Sequence, residues 1–202
     1  MPSQNLLTDS EFDIIQKTNI DYFTKNTNYS KAREWICFYF LCNTKLNASN
    51  IVDLLVEDIK YSKELGLYFI EKDNESIWLT NSFKHPYSIY VERKRGQVLS
   101  SPYLISSRQD KKLTISEINR MIKNYFRRAN IDKTQTVQSL KTGSGRYLYS
   151  HGMSINDLIE TVGYSQKYWK QILSDTEILV NRINLMDVID FINEAKRKNQ
   201  KN

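Results

Sequence analysis

The sequence has few residues that interrupt or crosslink a folded chain. Its 202 residues include 6 glycines and 3 prolines, which argues against long unstructured tracts. Its two cysteines, Cys37 and Cys42, share one apolar segment, so we expect buried thiols in a reducing compartment. The two histidines, His85 and His151, do not fall at ligand spacing from these cysteines. We therefore expect no zinc site, no other metal and no cofactor.

Long apolar runs are also absent. No segment approaches the ~20 apolar residues that a membrane span requires. The first residues, MPSQNLLTDSEF, lack the basic region and apolar core of a secretory signal peptide. These absences predict a cytoplasmic protein that has no membrane partner.

The chain is rich in apolar and basic residues. Apolar residues make up 40% of it, and its length suits one ordinary domain with a sizeable core. There are 29 lysines and arginines against 23 acidic residues, which gives a net charge of +6. This charge favours a polyanionic partner, above all nucleic acid, although a merely basic globular protein fits it equally well.

Periodicity and capping signals predict a mainly α-helical fold with one small β-hairpin or sheet. Predicted helices occupy residues 8–26, 30–43, the latter part of 44–59, 86–98, 117–130, two parts of 140–164 and 177–195. Two short runs rich in β-formers, residues 67–70 and 77–79, flank a polar turn and indicate the hairpin.

Residues 140–164 are the most informative stretch and indicate a helix, a turn and a second helix. Leu140 belongs to the first apolar face, and Gly152 is placed to stop that helix. Ser154 is placed to cap the second helix, and Gly163 to end it.

This stretch resembles the box II region of the tyrosine recombinase (phage integrase) catalytic domain. The family pattern runs His-x-Leu-Arg-His, a helix, Gly, a second helix and Leu-Gly-His, and Leu140, Gly152 and Gly163 match it without a gap. Thr44 and Leu46 similarly match the family's box I pattern, Thr-Gly-Leu-Arg-x-Ser-Glu-Leu. The resemblance covers approximately residues 6–173 and implies the fold of that catalytic domain, with double-stranded DNA as the partner.

The resemblance also assigns catalytic positions. The family has six catalytic positions: an arginine, a lysine, a histidine or lysine, a second arginine, a histidine or tryptophan, and a tyrosine nucleophile. In this chain the same six positions are occupied, in that order, by Asn47, Lys72, Gln138, Lys141, Tyr164 and Leu173. Only the lysine is kept, and leucine has no nucleophilic atom. Because a lysine or an amide cannot replace the bidentate arginine clamp on phosphate, the resemblance implies a catalytically inactive protein. A displaced nucleophile, such as Tyr168, stays open as an alternative.

Basic side chains are the candidates for DNA contact, and each has a solvated surface charge as its alternative. The expected contacts are Lys72, Arg120, Lys123, Arg127, Lys141, Arg146, Lys167 and Lys170. Gly143 and Gly145 either permit close approach of a phosphate or mark a late helix start.

Three functions fit these observations. The first is a DNA-binding transcriptional regulator, repressor or accessory factor of a phage or other mobile element. The second is an integrase with displaced catalytic residues, and the third is an interaction subunit of a recombinase assembly that does not bind DNA. Residues 1–176 are expected to form the integrase-like domain. Residues 177–202 are expected to add an amphipathic helix and a basic tail, which either folds back or is exchanged between subunits of a homodimer.

Overall fold

The computed structural model describes residues 6–25, 28–72, 74–95, 100–107 and 109–174, with the side chains of 92–95 excepted. The predicted C-terminal helix and tail, residues 177–202, lie outside the described residues. Among those described, no helix combines the length and the apolar character needed to cross a membrane.

The fold is mainly α-helical with one small antiparallel sheet, as predicted. The helices are α1 Asp9–Thr24, α2 Tyr29–Asn43, α3 Ala48–Val52, α4 Asn81–Tyr87, α5 Ile115–Arg128, α6 Val137–Ser150, α7 Ile155–Thr161 and α8 Gln166–Ile172. The strands are β1 Ile59–Ser62, β2 Leu67–Lys72 and β3 Glu75–Trp78, in the order β1-β2-β3. A 3-10 turn, Val56–Asp58, precedes β1, and a π-helical segment, Ser88–Arg95, continues α4.

Most helix starts follow from polar capping residues, as the sequence predicts. The side chains of Thr8, Asn47, Thr114 and Ser154 each accept a hydrogen bond from the backbone N–H three residues later. Such a bond satisfies one of the backbone donors that a helix start leaves unpaired. Gly152, with φ +100°, ends the first helix of the predicted helix–turn–helix stretch and so confirms the proposed stop.

Helix α2 lies at the centre of the main hydrophobic core. Residues 36–42 of α2 are all buried, which requires neighbours on nearly every face. Helices α1, α4, α5 and α6 supply them. Cys37 and Cys42 are free thiols in this core, and burial raises the pKa of Cys37 to about 12. Both cysteines therefore act as packing residues.

A second, smaller core joins the C-terminal half of α6 to α7 and α8. It consists of Met153, Leu158, Val162, Trp169 and Leu173. Trp169 of α8 packs against Gly145 of α6, and its Nε1–H donates to the Gly163 carbonyl in the turn between α7 and α8.

Several predicted boundaries are wrong. The helix predicted over residues 86–98 begins earlier, at Asn81, and Pro86 lies inside it. Helix α3 is shorter than predicted because a 3-10 turn and β1 follow it, and β1 was not predicted at all. The pairing of β1 with β2 stabilises this strand, whose sequence IKYS has weak alternation of its own.

Candidate functional site

Five of the six family positions gather around α3 and the first turns of α6. Lys141 of α6 links these elements directly. Its Nζ donates hydrogen bonds to the carbonyl oxygens of Thr44 at 2.6 Å and Leu46 at 3.0 Å. These two residues precede Asn47, so the positions of the family's two arginines are neighbours in space.

Lys141 is an interior residue. Its exposed fraction is 3%, and burial lowers the pKa of its ammonium group to about 8, against an opposing effect of Cys42. The side chain extends inward to backbone carbonyls, and the DNA contact predicted for Lys141 stays a prediction. To reach a phosphate it would have to leave both acceptors unpaired.

Asn47 is exposed and caps α3. Its Oδ1 accepts from the N–H of Asn50 at 2.9 Å, and its own N–H donates to the Asn50 side chain at 3.0 Å. A neutral amide committed to this capping box cannot provide the charged, forked donor that holds phosphate oxygens.

Lys72 is the last residue of β2, next to the turn, and it points towards the end of α3. Its Nζ donates to the carbonyl oxygen of Asp53 at 3.0 Å and lies 3.9 Å from the Asp58 carboxylate. The side chain is 36% exposed, so it can still exchange partners with solvent or a ligand.

Other cations around α3 are also paired with carboxylates. Lys45 forms an ion pair with Glu75 at 2.5 Å, and Lys112 forms one with Asp53. These lysines around α3 therefore have carboxylate or carbonyl partners that compete with a phosphate.

Tyr164 and Tyr168 form a stacked pair beside the start of α6, with ring centroids 4.5 Å apart. The Tyr168 hydroxyl lies 2.6 Å from Thr142 Oγ1, and Gln138 Nε2 donates to it at 3.5 Å. Tyr164 adopts the left-handed conformation, with φ 68°, which is uncommon for a residue other than glycine. Burial raises the pKa of Tyr164 to about 12, so its hydroxyl stays protonated at neutral pH.

Leu173, at the position of the nucleophile, is a core residue. It is 6% exposed and belongs to the second cluster, and its N–H donates to the Trp169 carbonyl at 2.9 Å. Arg146 approaches the same place, because its Nη1 donates to the Ile172 carbonyl at 3.1 Å. Arg146 is partly buried and caps the end of α8, and its DNA contact stays a prediction.

The two glycines of α6 serve helix packing. Both lie well inside the helix, which starts at Val137, so they do not mark a late start. A Cβ atom on Gly145 would lie 2.1 Å from Trp169 Cη2, and one on Gly143 would lie 2.7 Å from Leu7 Cδ1. Side chains, not phosphates, occupy the space that the missing Cβ atoms leave.

Helix α8, which carries two exposed cations, lies beside the family positions. Lys167 and Lys170 are both exposed, and α8 is held beside α6 by the contact between Tyr168 and Thr142. Within the described ranges, no group of His, Cys, Asp or Glu side chains is arranged to bind a metal ion.

The exposed cations of α5 extend away from these positions. The start of α5 is near α3, where Lys112 pairs with Asp53, but its last turn contacts the beginning of α2, where the Tyr125 hydroxyl donates to the Glu34 carbonyl at 2.7 Å. Glu34 and Thr44 are separated by ten residues along α2, or about 15 Å. Arg120 thus lies closer to the family positions, and Lys123 and Arg127, towards the last turn, lie farther away.

The sequence interpretation missed the residues that hold the family positions in place. Thr142 could have been identified, because it follows Lys141 at the last histidine of the box II pattern. Asp53 and Asp58 carry no comparable signal, since their role depends on how β2 packs against the end of α3.

Comparison with known proteins identifies relatives over most of the chain. The model of the phage integrase family matches residues 13–172. Tyrosine recombinase XerD of Staphylococcus epidermidis is 27% identical over 146 residues, which are 70% of this chain and 48% of that protein. XerD of Staphylococcus haemolyticus is 24% identical over 157 residues, 76% of this chain and 52% of that protein. The chain thus spans about half the length of the curated relatives it matches.

Solved structures share the fold at low sequence identity. XerA recombinase has a TM-score of 0.63 at 16% identity, covering 90% of this chain and 61% of that one. The XerH site-specific recombinase in its post-cleavage complex with palindromic difH substrate has a TM-score of 0.68 at 12% identity, covering 85% and 50%. At such identities the likeness concerns the fold alone. With the family match over most of its length, this chain belongs to the phage integrase family and has a fold like the tyrosine recombinase catalytic domain.

Proposed function

We propose that the protein binds double-stranded DNA through a tyrosine recombinase fold that has lost strand-transfer chemistry. The observation that carries this proposal is the structural use of three family positions. Lys141 is buried on two backbone carbonyls, Asn47 caps α3, and Leu173 packs in a hydrophobic cluster.

The loss of the family's two arginines should affect the transition state of phosphodiester cleavage most strongly. Phosphodiester cleavage concentrates negative charge on the non-bridging oxygens, where the family places its two arginines. By analogy with the removal of an oxyanion-hole donor, each lost clamp costs about 3 kcal/mol of transition-state stabilisation. The absence of a nucleophile at position 173 adds to this loss.

Two observations favour DNA as the partner. The net charge of +6 suits a polyanion, and the exposed Lys167 and Lys170 belong to α8, the helix that Tyr168 holds beside the start of α6. The XerH recombinase of similar fold is seen with its difH substrate, and we transfer DNA binding from it to this chain. A binder without cleavage would act as a transcriptional regulator, a repressor or an accessory factor of a phage or other mobile element. Selection of bound fragments from the source genome tests this role, and enrichment near promoters would support regulation.

Removing two charges from α8 should weaken DNA binding. We expect the Lys167→Gln, Lys170→Gln double variant to bind duplex DNA at least ~10-fold more weakly, with a log–log salt slope reduced by about 1 per lost phosphate contact. The measurement is a fluorescence-anisotropy titration at several salt concentrations. The matched control is Lys25→Gln, Lys31→Gln, which removes the same charge near the start of α2, at the end distant from Thr44. Equal affinity and slope for wild type and both variants would place the DNA surface elsewhere.

A second function, residual strand transfer, has one specific observation in its favour. The Tyr168 hydroxyl lies among the family positions, in contact with Thr142 and Gln138. It would still act without either arginine, so we regard it as the weaker candidate. The interaction-subunit alternative depends on residues 177–195, which lie outside the described residues.

A further inference from the structure

A depression of about 290 Å³ lies at the end of α5. Polar side chains contributed by α5 and by the segment after it form most of its lining, namely Lys123, Asn124, Arg127, Asn130, Asp132 and Gln135. This volume is close to the lower end of the range for small-molecule sites. The depression is remote from the family positions, because the last turn of α5 contacts the start of α2.

The lining has an excess of positive charge. Lys123 and Arg127 are one helical turn apart, both are exposed, and neither forms an ion pair within the part of the chain that the structure describes. Arg127 Nη2 donates to Asn124 Oδ1 at 2.9 Å, which orients the guanidinium group. Asp132 is the one carboxylate among the described lining residues, so the side chains of the depression carry a net charge of +1.

An uncapped helix C-terminus repels an anion because its last carbonyl oxygens are unpaired. The C-terminus of α5 lacks this full repulsion because the chain turns back and caps it. The carbonyl of Arg127 accepts from the Asn130 N–H at 3.1 Å, and that of Phe126 accepts from the Ile131 N–H at 3.1 Å. Asn130 adopts the left-handed conformation, with φ 55°, and turns the chain back along the helix end. This turn satisfies two of the last carbonyls, and residues 130, 131, 132 and 135 of the segment that follows line one side of the depression.

We propose that this depression binds a phosphate group. Lys123 would supply a point charge and Arg127 a forked donor, the combination that suits phosphate oxygens. The carboxamides of Asn130 and Gln135 would bind the ester oxygens or hydroxyl groups attached to that phosphate. The phosphate belongs either to the DNA backbone or to a free phosphorylated ligand. The site does not depend on the proposed DNA binding at α8.

The test is calorimetric titration of the full chain with sodium pyrophosphate. We expect the Lys123→Gln, Arg127→Gln double variant to bind pyrophosphate at least ~10-fold more weakly than wild type. Asp132→Asn removes the one repulsive charge and should tighten binding by about fivefold. General charge attraction would give the same two signs, so the distinction between a site and such attraction depends on a control that removes charge at another place. The Lys60→Gln, Lys63→Gln control, which removes equal charge from exposed residues at β1, should match wild type.

A competition arm identifies the source of the phosphate. If duplex DNA displaces pyrophosphate and the double variant also loses DNA affinity, the depression binds the DNA backbone. If duplex DNA leaves pyrophosphate bound, a free phosphorylated ligand is the occupant. If pyrophosphate binds and duplex DNA does not, the result supports the phosphate site and contradicts the proposed DNA binding. Absence of pyrophosphate binding to wild type, or equal affinity in wild type, the double variant and Asp132→Asn, would overturn the inference.

Discussion

Replacing Gly145 by alanine is expected to lower the free energy of unfolding by roughly 3 kcal/mol, as measured by urea denaturation. The added Cβ would lie 2.1 Å from Cη2 and 2.6 Å from Cζ3 of the Trp169 ring. That ring cannot move aside easily, because it is fully buried and its Nε1–H donates to the Gly163 carbonyl at 2.7 Å. Alanine's better helix propensity, about 1 kcal/mol, offsets only part of the clash.

Gly143→Ala is the matched control on the same helix. Its new Cβ would lie 2.7 Å from Cδ1 and 3.0 Å from Cβ of Leu7, contacts that are less close than the 2.1 Å at Trp169 and that fall on a smaller side chain. We therefore expect a clearly smaller loss of stability at Gly143. A neutral effect of Gly145→Ala would contradict the packing of α8 on α6, and with it the position of the helix that carries Lys167 and Lys170.

The second large effect concerns Lys141 and pH. Its pKa is about 8 in the folded chain and near the usual value of 10.5 when unfolded. Between these two pH values Lys141 binds more protons in the unfolded chain than in the folded one. The contribution of Lys141 to the free energy of unfolding should therefore rise as the pH is raised. Over the whole interval this amounts to roughly 3 kcal/mol.

Lys141→Met isolates this effect because it keeps the length of the side chain and removes the titration. The measurement is the difference in unfolding free energy between wild type and Lys141→Met at pH 7, 8, 9 and 10. We expect the free energy of unfolding of wild type to increase relative to that of the variant as the pH rises across this series. The buried thiols of Cys37 and Cys42 also act in this window, because burial raises their pKa in the folded chain while the unfolded thiols ionise near their usual value of 9.0. Their contribution lowers the free energy of unfolding as the pH rises, but wild type and Lys141→Met share it, so it cancels in the difference. Parallel pH profiles would show that Lys141 has its ordinary pKa and is not buried as described.

Local signals in the sequence account for much of the fold. Helix caps and stops interact with residues only a few positions away in the sequence, so the local pattern predicts them well. Examples are the capping residues Thr8, Thr114 and Ser154 and the stop at Gly152. Strand β1 depends instead on its pairing with β2, and residues 59–62 alone give little indication of it.

The sequence predicted which residues form the candidate site, but it did not predict the directions in which their side chains point. The family resemblance identified which positions would meet, and five of them do. It could not show that Lys141 would point inward, because its acceptors Thr44 and Leu46 are more than ninety residues away in sequence. The same reason applies to Gly145, whose partner, Trp169, lies on another helix.

The most direct test of the central claim is a covalent-adduct assay on suicide-nicked duplex DNA that carries a site selected from the source genome. An active tyrosine recombinase on its own substrate serves as the positive control. We predict that this protein binds the duplex and forms no denaturation-resistant adduct, because position 173 is a buried leucine and neither arginine position holds an arginine. An adduct that is lost in the Tyr168→Phe variant would contradict the account and identify Tyr168 as a displaced nucleophile.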